Sequence, residues 1–102
     1  MINTINYFNY NREVVSNRKK VIILFDAPWS FTGQGTMQSF EKWSKKYNLY
    51  DFKKVDIVKS KKLAKKFKIV ATPTYVVVDG GKELKRFLGV QNDETFKYFI
   101  TK

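Results

Sequence analysis

The sequence predicts an α/β fold with a central mixed β-sheet flanked by helices, and three observations carry that prediction. Strand-like and helix-like stretches alternate through three βα pairs, and then the order changes to strand, strand, helix. Val21-Ile22-Ile23-Leu24-Phe25 is an unbroken apolar run led by β-branched residues, which is how a strand covered on both faces reads. Asp79-Gly80-Gly81 separates two strand-like runs and carries the glycines that a tight hairpin needs. The alternating part implies a parallel βαβ half, and the hairpin with its closing helix implies an antiparallel ββα half.

Each element has its own signal. Thr4 to Phe8 reads as a short first strand, and Asn9 to Asn17 as a short helix capped by Asn9 or Asn11. A loop from Asp26 to Gly33 follows the apolar run. From Gln34 to Tyr47 the pattern is helical, with Met37, Phe40, Ser44 and Tyr47 on one stripe and Trp43 beside them. Phe52 to Asp56 alternates like a half-buried strand. Ser60 is placed to cap a short basic helix through Lys66, with Leu63 and Phe67 four apart on its inner side. Pro73 opens Thr74 to Val78, a strand of buried character, and Glu83 to Leu88 returns beside it. Asp93 to Thr101 is the last helix, with Phe96, Phe99 and Ile100 inward.

Composition bounds the function. A chain of 102 residues has room for one core, so residues 1–102 are expected to form a single domain. No apolar run approaches the roughly 20 residues of a membrane helix. Residues Met1 to Asn6 lack the basic and apolar regions of a signal peptide, so a cytoplasmic location without membrane partners is expected. There is no cysteine and no histidine, which removes a disulfide framework and the usual transition-metal ligands; no metal or cofactor is expected. The formal charge is +11, enough to attract nucleic acid or an acidic protein. Only Arg12, Arg18 and Arg86 among the 20 basic residues are arginine. Bidentate phosphate recognition favours Arg, whereas Lys, Asn, Ile, Tyr and Phe are what AT-rich codons supply. A generic solvated lysine surface is therefore the expectation against which a functional charge is set.

Four landmarks at consistent separations give the chain a resemblance to the thioredoxin family over essentially its whole length. Phe25, Ala27 and Trp29 lead into a turn as in the family's Phe-x-Ala-x-Trp-Cys-x-x-Cys segment, and a long helix leaves that turn. Val55-Asp56 closes the third strand. Thr72-Pro73-Thr74 stands where the family has its cis-proline, and Gly89 precedes the last helix. The resemblance implies the thioredoxin fold. It also makes the departures informative: the turn reads Trp29-Ser30-Phe31-Thr32-Gly33, with Ser30 in place of the nucleophilic cysteine and Gly33 in place of the resolving one. The family's buried acid would lie six residues before the first cysteine, where this chain has Leu24.

Disulfide exchange needs an attacking thiolate and a resolving thiol, and this turn has neither. A serine nucleophile needs an adjacent base; with no histidine, Asp26 and Lys54 are the nearest helpers and no spacing aims them at Ser30. Ser30 or Thr32 suits an N-cap of the following helix instead. Gly33 and Gly35 weaken that helix by about 1 kcal/mol each relative to Ala, unless they admit a close neighbour or a moving turn.

Three readings of function remain. The resemblance implies a peptide-binding groove made by Trp29, Phe31, Thr72, Pro73 and Gly89, so the first is a redox-inactive module holding a protein partner or extended peptide. The second takes Ser30 as the replacement of a natural single cysteine, giving a monothiol thioredoxin- or glutaredoxin-like redox protein. The third is a basic accessory protein that binds nucleic acid or an acidic partner. It would use the lysines from Lys53 to Lys68, with Lys61, Lys62, Lys65 and Lys66 at their centre. Aromatic residues are sparse within that stretch, with Phe52 and Phe67 expected inward.

Overall fold

The computed structural model describes residues 2–30, Ser30 by its backbone only, and residues 35–102. Five strands form one sheet in the spatial order β1-β3-β2-β4-β5. β1 (Asn3–Thr4), β3 (Tyr50–Asp56) and β2 (Lys20–Asp26) run parallel, and β4 (Thr74–Asp79) and β5 (Lys82–Leu88) complete the antiparallel half. The helices are α1 (Gly35–Lys46), α2 (Lys61–Lys66) and α3 (Asp93–Thr101), with a five-residue π-helical segment at Asn11–Val15. This is the mixed architecture and element order that the hydrophobic pattern predicts.

β2 is central because its side chains are apolar on both faces. Ile22 and Leu24 face one layer, with Met37, Phe40 and Trp43 of α1 and Phe96 and Ile100 of α3. Val21, Ile23 and Phe25 face the other, with Val14, Leu63 of α2 and Phe67 at its end. Asp93, at the start of α3, joins two helices: its Oδ1 accepts from Trp43 Nε1 at 2.8 Å and its Oδ2 from Lys42 Nζ at 3.0 Å. Asn92 caps α3 through a reciprocal pair of bonds with Thr95. The hairpin loop has Gly80 at φ +59° and Gly81 at φ +88°, the left-handed region that glycine enters without a Cβ penalty.

Several local details differ from the sequence reading. β1 stops at Thr4, because Asn6 Oδ1 accepts from the N–H groups of Phe8 and Asn9 while Asn9 Oδ1 accepts from Asn6 N–H, folding the chain into a turn. The Asn9 side chain therefore serves that turn, and the helical segment after it has no side-chain cap. Ser60 makes no cap bond either. The Asp56 carboxylate takes the N–H groups of Val58 and Lys59 and builds the entry to α2. In α1 the inward stripe is Met37, Phe40 and Trp43; Ser44 turns back to donate to Glu41 O at 2.6 Å. Among the described residues no helix is long and apolar enough to cross a membrane.

Candidate functional site

β2 leads at its carboxyl end into a short 3-10 turn, Pro28–Ser30, in which Trp29 is 71% exposed. β4 begins at the same end of the sheet, since Phe25 lies opposite Thr74. The Thr72–Pro73 peptide bond is cis, Thr72 is exposed and Pro73 is half-buried. Gly89 N–H donates to Pro73 O at 2.9 Å, which fixes the chain after β5 to the same corner. Trp29, Thr72, Pro73 and Gly89 thus share one end of the sheet. Phe31, Thr32, Gly33 and the side chain of Ser30 lie outside the described residues. A Cβ at Gly35 would meet nothing within 4 Å among the described residues.

Below the turn the interior is mostly apolar. Leu24 is fully buried in the layer under α1 and α3. Asp26, two residues on and on the same face, is 2% exposed, and its Oδ1 accepts from Ala27 N–H at 2.9 Å. Tyr75 lies opposite Leu24 across β2 and β4, and its buried hydroxyl has no hydrogen-bond partner among the described residues. Burial first, and the Asp26 charge second, push this phenol well above its ordinary range, so it stays neutral and cannot act as a base near neutral pH. The sequence reading placed Asp26 in the loop. The signal it passed over is the period of two from Ile22 through Leu24, which carries position 26 into the same buried layer.

The lysine surface is partly as expected. Lys61, Lys62, Lys65 and Lys66 are exposed along α2. Lys53 is not part of that surface: its side chain is 5% exposed and bridges Glu13 at 3.0 Å and Asp51 at 3.3 Å. Hydrogen bonds from Lys53 and then Arg12 hold the Glu13 carboxyl down to about 2. Among the described residues no group of three or more His, Cys, Asp or Glu is placed to hold a metal.

The Thioredoxin family model matches residues 1–102. The chain belongs to the thioredoxin family. It is 32% identical over 85 residues to Thioredoxin H2 of Arabidopsis thaliana, covering 83% of this chain and 64% of that protein. It is 30% identical over 89 residues to the thioredoxin of Mycoplasma genitalium, covering 87% of each. The match thus spans just under two thirds of the Arabidopsis relative and most of the bacterial one. Among solved structures, a cysteine-to-serine mutant of Entamoeba histolytica thioredoxin superposes with a TM-score of 0.83 at 27% identity over all of both chains. Fasciola hepatica thioredoxin superposes with a TM-score of 0.85 at 24% identity, over 99% of this chain and 97% of that one. This member of the thioredoxin family carries no cysteine, so the thiol chemistry of a Cys-x-x-Cys turn is absent from it.

Proposed function

We propose that this chain is a redox-inactive thioredoxin-like protein that holds an extended segment of a protein partner at the Trp29–Pro73 end of its sheet. The observation that carries the reading is an indole 71% exposed at the tip of a turn whose chemistry is gone. Trp is the residue type that most often anchors a protein interface, because a large rigid ring loses little entropy on binding. Ala71 and Thr72, at the same end of the sheet, are both exposed. Ala71 O already accepts from Thr74 Oγ1 at 2.6 Å, so strand-like pairing with a bound segment falls to Thr72. The Gly89–Pro73 hydrogen bond supports a fixed floor. A cytoplasmic setting completes the proposal.

Display of a random peptide library against the immobilised protein tests it. Selected peptides should bind the unaltered chain and lose about tenfold or more in affinity for Trp29→Ala, with a smaller loss for Pro73→Ala. Peptides indifferent to both substitutions would remove the site. Turnover in an insulin-reduction assay by the unaltered chain would remove the redox-inactive part of the reading.

A further inference from the structure

We propose that a second surface, the groove between the loop after β1 and the start of α2, binds single-stranded nucleic acid, with phosphates on its lysines and a base stacked on Phe8. The sequence alone shows few aromatic residues among these lysines, but the fold supplies them from elsewhere. Phe8 is 91% exposed and Tyr7 52% exposed, on the turn that Asn6 and Asn9 lock. A ring presented by a fixed turn does not have to be ordered on binding. Tyr7 and Phe8 line one side of a groove of about 460 Å³, and Lys59, Lys61 and Lys62 line the other. A neighbouring hollow of about 350 Å³ between Tyr7, Lys62, Lys65 and Lys66 continues the basic track along α2.

The charges here are available. Among the described residues no carboxylate pairs with Lys59, Lys61, Lys62, Lys65 or Lys66. Lys62 Nζ instead lies 5.5 Å over the Tyr7 ring. Asp56, the one acid in the lining, is 7% exposed and its Oδ1 is turned onto backbone N–H groups. A basic groove with an exposed aromatic wall is the recurring solution for unpaired strands, because every base has a face to stack. A duplex hides those faces, and an acidic peptide would use the lysines but leave the aromatic wall idle. The site lies at the carboxyl ends of β1 and β3, where open α/β sheets usually place their ligands.

The test is fluorescence anisotropy with a labelled oligothymidine of about 20 nucleotides, run across salt concentrations. Binding should persist near 0.15 M salt and exceed that of the matching duplex. Phe8→Ala should weaken it by about fivefold to a hundredfold while leaving the salt slope in place. Combined Lys→Gln changes at positions 61, 62, 65 and 66 should lower the slope by about 0.7 for each phosphate contact removed. Phe8→Trp should retain binding, with indole fluorescence quenched by the stacked base. Phe8 is exposed, and circular dichroism of each variant checks that the fold survives. Polyglutamate or duplex binding as tight as the single strand would overturn the proposal, as would an inert Phe8→Ala. Phe8-dependent binding to phosphatidylserine vesicles without oligonucleotide binding would overturn it in favour of a lipid surface.

Discussion

The two faces of the sheet are packed by the same strands but with different chemistry. Under α1 and α3 the layer is a stack of rings: Trp43 lies on Phe96 at 4.0 Å, Tyr75 on Phe87 at 5.1 Å, and Phe87 on Phe99 at 4.7 Å. The opposite layer is largely aliphatic, from Ile5 through Val78, and its margin carries the Glu13–Lys53–Asp51 charges. One face thus depends on the shape of rings and on where their polar ends go. The other adds an ionised margin to its aliphatic packing. The comparison teaches that two halves of one core can answer to different variables.

Removing a ring from the first face should have the largest effect. Phe96→Ala deletes a side chain that stacks on Trp43 and meets Phe52, Tyr75 and Phe87, and should cost about 3–5 kcal/mol in urea unfolding. Acid should act on the Glu13 margin of the second face. It should also act on Asp93 between α1 and α3, whose carboxyl the hydrogen bonds from Lys42 and Trp43 hold below its ordinary range. Glu13 has its folded pKa lowered to about 2, so its contribution is present above the ordinary glutamate value of 4.5. That contribution is lost as pH falls from there towards 2. Urea midpoints measured across this range should fall less steeply for Glu13→Gln than for the unaltered chain. Tyr75→Phe removes a buried hydroxyl with no partner among the described residues and should raise stability by about 1 kcal/mol. A loss instead would mean that the hydroxyl matters to the aromatic face. The smallest change lies at the end of α2, where Lys68 has φ 54° while Ile69 N–H closes onto Ala64 O at 3.0 Å. Lys68→Gly should gain a few tenths to about 1 kcal/mol, read from the same unfolding curves.

Much of this fold was legible because hydrophobic period and glycine placement are local signals. Val21 to Phe25 announced the central strand, and Gly80-Gly81 announced the hairpin. What was not legible depends on side chains meeting across the sequence. Lys53 reads as a surface lysine until Glu13, forty residues earlier, lies beside it. Tyr7 and Phe8 read as strand residues because nothing local says that Asn6 and Asn9 will tie the chain into a turn. The loss of thiols at Ser30 and Gly33 was plain from the sequence, whereas the exposure of Trp29 needed coordinates.

Gly81 has one more consequence. A methyl group there would meet Val15 Cγ2 at 3.0 Å, so the hairpin tip rests directly on the helical segment Asn11–Val15. That segment follows β1, whose pairing with β3 among the described residues covers Asn3 and Thr4 and is extended by Ile5 N–H onto Lys54 O at 2.9 Å. A short strand, the buried Val14 and the Glu13–Lys53 pair hold this segment, and the hairpin tip adds a further contact. In native-state hydrogen exchange the amides around Val14 and those near Val78 should open as one cooperative unit, and the amino-terminal stretch should not fray alone. The first and last thirds of the chain would then come apart together or not at all.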